Sequence, residues 1–340
     1  MTDTPIEVLI TVPFLANQMA LLEEVSPRLK FNLHQARRAD EIPADEWARA
    51  EILYTDRLLP VQAQVPRLRW IQFNFAGIDF VADAPILRKP DLVATTLSGA
   101  AAPQIAEYAL GMLLALGHHT SDLFINQQKA EWPRDRWERF GPKELRGATV
   151  GLVGYGSINR ELARLLQPLG SIILAAKRDA MHPEDAGYFP KGLGDPQGNF
   201  FTRLYPIQAL KSMLKECDFV VVGVPLSAAT RGLVGAEELA ALKPGAYLVD
   251  FSRGGVIDHP ALTAALQEKR LAGAALDVFP EEPLPPASPL WRMPNVIITP
   301  HIAGNSPHYM DRAAELFAEN LRRYVNGEQL YNRFEMEKGY

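Results

Sequence analysis

One cysteine, Cys217, is all that 340 residues contain, so neither an internal disulfide nor a cysteine-rich metal site can form. A lone thiol fits a reducing compartment, and a cytoplasmic location is the expectation. No block of five or more basic residues occurs. Thirty-five Lys+Arg against 40 Asp+Glu leave a net charge of −5, so a phosphate-backbone footprint is missing and nucleic acid is not expected as a partner. Long apolar runs are absent too. The most apolar helical stretch, Ala109 to Gly117, falls well short of the ~20 residues a membrane span needs. Met1 to Pro13 carries acids and no positive n-region, so no signal peptide and no membrane partner are expected. The histidines, His118 and His119 included, form no set with metal-ligand spacing, and no metal is expected.

What is present is apolar residue in quantity, 47% against 22% charged, enough to bury a large core. At ~100–200 residues per domain the length allows about two domains. Ile6 to Val12 reads as a buried strand, and Ala16 to Leu29 has Met19, Leu22, Val25 and Leu29 at helical spacing. Strand-like runs recur at Phe31 to Leu33, Glu51 to Tyr54, Trp70 to Phe73 and Leu92 to Thr95. Such β/α alternation predicts a parallel sheet covered by helices. A long apolar helix, Ala101 to Leu116, carries Pro103 in its first turn and leaves this region; a second helical stretch runs to about Lys129.

A second β/α series opens at Thr149 to Val153 and continues through Ile172 to Ala176, Phe219 to Val224, Ala246 to Phe251, Gly273 to Leu276 and Val296 to Thr299. Residues 179 to 205, rich in Gly, Pro and Asp, read as an insertion on one loop. The last helix, Ser306 to Asn326, has an apolar stripe (Met310, Ala314, Phe317, Leu321, Tyr324) that must cover something. The second sheet is complete before it, so the helix is assigned to the first domain. The expected fold is therefore α/β, with two doubly wound parallel-sheet domains, Rossmann-like and flavodoxin-like, and a cleft between them. Residues 1–105 and 305–340 form a discontinuous substrate-binding domain, and 106–304 a dinucleotide-binding domain.

The local feature with most chemistry is Val150-Gly-Leu-Val-Gly154-Tyr-Gly156-Ser157-Ile158-Asn159, a strand that ends in a glycine turn and opens a helix. Gly154 permits the tight turn, and Gly156 removes the side chain that would hold a pyrophosphate off the backbone. Exposed amides at the helix start then favour the anion. The third glycine of the usual pattern is Asn159, which bears on helix–strand packing rather than on phosphate contact. A ribose-binding carboxylate is usual about 20 residues on. Counting 21 from Gly156 reaches Lys177, followed by Arg178. Two cations suit a 2′-phosphate, so NADP(H) is the expected cofactor, with NADPH preferred. NAD(H) stays open, because Asp179 takes the ribose role if the register slips.

Three further segments each end a strand of the second series: Asp250-Phe-Ser252-Arg253-Gly-Gly255, Leu276-Asp277-Val-Phe-Pro-Glu281-Glu282-Pro283, and Thr299-Pro-His301-Ile-Ala-Gly304. With the Gly154 turn, with Ile105-Ala-Glu107-Tyr108 and with Val224-Pro225-Leu226-Ser-Ala-Ala-Thr230, they resemble the D-isomer-specific 2-hydroxyacid dehydrogenase family, in its glyoxylate/hydroxypyruvate reductase-like form, over nearly the whole chain. The resemblance implies a catalytic set of Arg253, Glu282 and His301: a substrate-binding arginine, the acid partner, and the general acid/base. Glu281 competes for the acid role, and Glu282 is favoured because the family's residue directly precedes the proline.

The chemistry needs these types. A guanidinium fork can bind the carboxylate and carbonyl of a 2-keto acid in one plane. A protonated imidazole can neutralise the oxygen as hydride reaches the adjacent carbon, and a neighbouring carboxylate orients the ring and favours its charged form. The resemblance also implies a cofactor site of Gly154, Gly156, Ser157, Ile158, Lys177, Arg178, Val224, Pro225, Thr230, Ser252, Arg253, Asp277, His301 and Gly304. For Asp277 a structural cap is the competing role. Phe75-Ala76-Gly77 resembles the loop whose amides hold the substrate carboxylate, alongside Arg253 and His301; Asn74, Leu97 and Trp132 are further candidates for substrate choice. The implied partner is a small 2-keto acid such as glyoxylate or hydroxypyruvate, and the implied assembly a homodimer through the cofactor domain, with Trp132 to Phe140 embracing its partner. The alternative is a non-catalytic NAD(P)-sensing, corepressor-like protein on the same fold.

Overall fold

A computed structural model describes residues 4–335. The chain divides into two compact units. One comprises the described residues of Met1–Ala101 and Ser306–Tyr340 together with Ala186–Pro190; the other is Ala102–Asp185 with Lys191–Asn305. The divisions fall at 101/102 and 305/306, where sequence placed them at 105/106 and 304/305. Ala186–Pro190, expected in the second domain, groups with the first. Residues 1–3 and 336–340, assigned to the first domain from sequence, lie outside the described residues.

The first unit is built on β1 (Ile6–Ile10), β2 (Leu29–Leu33), β3 (Ile52–Thr55), β4 (Trp70–Phe73) and β5 (Val93–Thr95), all parallel and in the order β2-β1-β3-β4-β5. That is the flavodoxin-like winding. Successive residues of its strands face opposite layers: Val8, Ile10, Ile52, Tyr54 and Trp70 one way, Leu9, Leu53, Ile71 and Phe73 the other. The helix Tyr309–Asn326 covers the first of these faces, with the Phe317 ring centred 4.6 Å from that of Tyr54 and 5.5 Å from that of Trp70.

The second unit carries β6 (Thr149–Val153), β7 (Ile172–Lys177), β8 (Arg203–Pro206), β9 (Phe219–Val222), β10 (Ala246–Asp250), β11 (Leu271–Leu276) and β12 (Val296–Ile298) in one parallel sheet. Its order, β12-β11-β10-β9-β6-β7-β8, reverses between β6 and β9, the switch point at which ligands of such sheets bind. Both faces are covered, which is why these strands read as unbroken apolar runs.

Sequence missed β8. Its residues, Arg-Leu-Tyr-Pro, close the Gly- and Pro-rich stretch and make an edge strand, where a charge and a proline are tolerated. The first helix stops at Glu23 rather than Leu29, because Leu29 is already paired with Ile6 in the sheet. Two short helices, Ala44–Arg49 and Arg136–Arg139, were not foreseen; neither is long enough to show a period.

The stretch 179 to 205 is anchored, not loose. Arg160, fully buried, donates to the carbonyls of Tyr155 (3.0 Å), Asp195 (2.5 Å) and Pro183 (2.6 Å), and Glu161 accepts the Gly194 amide at 2.6 Å. Asp195 in turn accepts the Tyr155 hydroxyl and the amides of Asn199 and Phe200.

Candidate active site

The glycine turn lies at the C-terminal end of β6, at the switch point. Gly154 has φ +90°, and a Cβ there would stand 2.6 Å from Val224 Cγ1 and 2.8 Å from the Gly223 carbonyl oxygen. Only glycine fits such a turn beside the neighbouring strand end. Asn159 takes the place of the third glycine and is 1% exposed; its amide nitrogen donates to the Gly154 carbonyl at 2.7 Å, so the turn is braced from the helix behind it. A Cβ on Gly156 would meet nothing within 4 Å, which leaves open space in front of the amides of Ser157 and Ile158 that begin the helix Ser157–Leu166. First-turn amides have no intrahelical acceptor, and an open, glycine-lined approach to them fits a pyrophosphate.

The other residues assigned to a cofactor are placed unevenly. Lys177 ends β7 as expected, but its ammonium donates to the carbonyls of His182 (2.5 Å) and Glu184 (3.0 Å), turning it into its own loop; partial burial, then the Arg160 charge, lower its pKa. Arg178, next along, is exposed. Asp179 is held by His182 at 2.7 Å. Val224 and Pro225 leave β9, and the Thr230 hydroxyl donates to the Pro225 carbonyl at 2.6 Å and accepts the Ser227 amide at 2.8 Å, closing that turn on itself. The Ser252 hydroxyl is likewise committed, donating to Asp250 Oδ1 at 2.5 Å.

β10, β11 and β12 are adjacent and in register, Asp250 beside Leu276 and Leu276 beside Ile298. The loops bearing Arg253, Glu282 and His301 therefore leave the same sheet edge side by side. His301 Nδ1 lies 2.7 Å from Glu282 Oε2, and Glu282 Oε1 accepts the Phe279 amide at 2.9 Å. His301 adopts φ +54°, an uncommon conformation outside glycine. Arg253 is half-buried and its Nη1 donates to the Ser252 carbonyl at 3.0 Å.

Asp277 is 1% exposed and serves the His301 loop. Oδ1 accepts the Thr299 hydroxyl (2.6 Å) and the Ile302 amide (2.9 Å), and Oδ2 accepts the Ala303 amide (2.9 Å). These are the bonds of a structural cap, the competing role noted from sequence. Tyr108 reaches the same node, its hydroxyl 2.8 Å from Thr299 Oγ1, and Gly304 is held through its carbonyl by Gln104 at 3.0 Å. Tyr108 and Thr299 stand inside motifs recognised in the sequence and Gln104 directly beside one, but their supporting bonds had no sequence signal of their own.

In the first unit, Phe75, Ala76 and Gly77 follow β4 as a half-buried loop, tied by the Leu97 amide to the Phe75 carbonyl at 3.0 Å. Among the described residues no group of His, Cys, Asp and Glu could hold a metal ion, and no helix is long and apolar enough to cross a membrane.

A glycine turn at the switch point of one parallel sheet, a second parallel sheet of flavodoxin type, and an imidazole–carboxylate pair at adjoining strand ends define an oxidoreductase that uses a nicotinamide dinucleotide. Residues 110–303 match the family model described as D-isomer specific 2-hydroxyacid dehydrogenase, NAD binding domain. The chain is 35% identical over 261 residues to the (S)-sulfolactate dehydrogenase of Chromohalobacter salexigens, covering 77% of this chain and 79% of the relative. It is 34% identical over 275 residues to the glyoxylate reductase of Korarchaeum cryptofilum, 79% of this chain and 78% of that protein. Among solved structures, a D-isomer specific 2-hydroxyacid dehydrogenase from Xanthobacter autotrophicus Py2, in complex with NADPH and MES, superimposes with TM-score 0.77 at 28% identity, over 99% of this chain and 100% of that one. The chain belongs to the D-isomer-specific 2-hydroxyacid dehydrogenase family and is an NAD(P)-dependent enzyme of 2-hydroxy-acid oxidoreduction.

Proposed function

We propose that the protein reduces a small 2-keto acid, glyoxylate, hydroxypyruvate or a close analogue, with NADPH as the preferred hydride donor. The observation that carries this is the 2.7 Å contact between His301 Nδ1 and Glu282 Oε2, on the loops that leave the sheet beside the Arg253 turn. Bound NADPH supplies the hydride. The chain supplies the rest: the Arg253 guanidinium binds the substrate carboxylate and polarises its carbonyl, and His301 Nε2 delivers the proton to the carbonyl oxygen. Glu282, 2.7 Å from Nδ1, fixes the ring tautomer and orientation, so that Nε2 is the nitrogen left to face the substrate. Arg178 at the end of β7 and the NADPH found in the Xanthobacter relative support the phosphate-bearing cofactor; the Korarchaeum relative's name supports glyoxylate.

A homodimer through the second unit completes the proposal. Trp132 and Trp137, 84% and 78% exposed, lie on the segment that sequence assigned to a partner, and large exposed apolar groups in one segment mark an interface. Light scattering that returns a monomer would refute it. We place the enzyme in the cytoplasm on its lone thiol.

The decisive experiment is a panel of glyoxylate, hydroxypyruvate, pyruvate and 3-sulfopyruvate, each with NADPH and NADH, followed by loss of reduced-nicotinamide absorbance. Turnover of one or more with an NADPH preference is the expected result; no turnover of any would sink the reading.

A further inference from the structure

Asp250, the last residue of β10, is completely buried. Its Oδ1 accepts both donors of Ser252, the amide at 2.9 Å and the hydroxyl at 2.5 Å, and the Ser252 carbonyl accepts Arg253 Nη1 at 3.0 Å. The carboxyl is thus the root of the turn that presents the guanidinium. Its other oxygen, Oδ2, is buried with no hydrogen-bond partner in the structure. A buried ionised oxygen without a donor is strongly disfavoured.

The neighbours make ionisation harder still. Asp277, whose amide donates to the Asp250 carbonyl at 2.9 Å, directly follows β11 alongside and carries a carboxylate that already accepts three donors. From the helix Ala102–Gly117, Tyr108 presents a phenol whose own pKa is raised, by burial first and then by both aspartates. On the other side β9 ends in Val222, with Gly223 following it, and neither brings a charge. The only cation in the turn is Arg253, three residues on. Burial, offset in part by the Ser252 bonds and reinforced by Asp277, pushes the Asp250 carboxyl up to about 7. An asparagine could accept the same Ser252 bonds through its oxygen; what an acid adds here is a proton that can leave.

We propose that Asp250 is a positioning residue of the keto-acid site: its neutral carboxyl fixes the Ser252–Arg253 turn, and its ionisation against Asp277 weakens the hold on an anionic substrate. The sign follows from charge. A negative group buried behind Arg253 competes for the guanidinium's field and repels the incoming carboxylate in a poorly screened site. The proposal rests on the keto-acid function above.

Asp250→Asn, which keeps the shape and loses the proton, tests it. With NADPH saturating, the ratio of kcat/KM for glyoxylate in the variant to that in the wild type should rise about tenfold between pH 6 and pH 8, since the neutral fraction of the acid falls to about a tenth one unit above its pKa. The change should lie in KM for the keto acid, with KM for NADPH unmoved. Independently of turnover, the melting temperature of the wild type should fall relative to the variant as pH rises from 6 to 8: a carboxyl whose folded pKa is raised contributes stability at low pH that is lost as pH passes through that value. Parallel pH profiles, or a change confined to kcat, overturn the proposal. Should the variant not fold, the wild-type melting temperature alone decides, a flat course from pH 6 to 8 being the contrary result. If no 2-keto acid is reduced at all, the functional reading fails and the substrate half of this proposal with it, while the melting comparison still decides where the proton sits.

Discussion

Glu282 divides its two oxygens between different jobs: Oε2 faces His301 Nδ1 at 2.7 Å, while Oε1 takes the Phe279 amide at 2.9 Å. The second bond prevents the carboxylate from turning away, so the imidazole is held at one nitrogen and presents the other. Side-chain relative exposures of 43% for His301 and 35% for Glu282 leave the pair accessible to a ligand. A pair that is fixed yet reachable is what proton delivery requires.

Removing the imidazole should therefore act on chemistry and spare the cofactor. His301→Ala is expected to reduce kcat by ~10²–10⁴-fold, the usual loss for a general acid. NADPH binding, followed by quenching of protein fluorescence, should be nearly unchanged; equal loss of both would point to a collapsed loop instead.

Two glycines of one turn should respond in opposite ways. Gly156→Ala meets open space, so the melting temperature should hold while the dissociation constant for NADPH rises by about tenfold or more, a methyl group displacing the pyrophosphate from the amides by roughly 1.4 kcal/mol. Gly154→Ala meets Val224 and the Gly223 carbonyl at positive φ, and should lower the melting temperature outright.

Asp277→Asn turns one acceptor into a donor amid three groups that need acceptors. Leaving a buried donor unpaired costs about 1–3 kcal/mol, which denaturant unfolding would register. Because these bonds hold the His301 loop, kcat should fall with little change in KM for NADPH.

The preference for a 2′-phosphate should depend on Arg178 more than on Lys177. Arg178→Ala is expected to lower the ratio of NADPH to NADH affinity by roughly tenfold to a hundredfold, the range for one or two charge-assisted bonds. Lys177→Ala should change it less, since that ammonium already donates to two backbone carbonyls. Titrating both cofactors against both variants checks the order; a larger effect at Lys177 reverses the assignment.

Cys217 should be inert in the folded protein. It is fully buried, its Sγ donates to the Met213 carbonyl at 3.2 Å, and burial pushes the thiol up to about 12. Iodoacetamide at pH 8 should leave the native chain unmodified by mass spectrometry and add one group after denaturation.

Much of the site could be read without coordinates because its residues sit in contiguous motifs at strand ends. Gly154-Tyr-Gly156 follows a run of apolar residues and precedes an amphipathic helix, so local pattern alone announced the turn. β8 was hidden for the opposite reason, since an edge strand with Arg and Pro has no alternation to detect. The brace from Asn159 to the Gly154 carbonyl was equally invisible, because an asparagine in place of a glycine looks like a departure until its amide is seen to point back into the turn.

Sequence by itself determined the two β/α series, the parallel sheets they form and the three strand-end motifs, since each depends on periodicity and on residues within a few positions of one another. Tertiary structure decided the rest: that Lys177 folds into its own loop, that Asp277 spends both oxygens on the His301 loop, and that Asp250 lies buried beside it. Those outcomes depend on groups as far apart in the chain as Tyr108 and Thr299, 191 residues, meeting at one sheet edge, where burial and charge set each group's proton affinity and no local pattern records them.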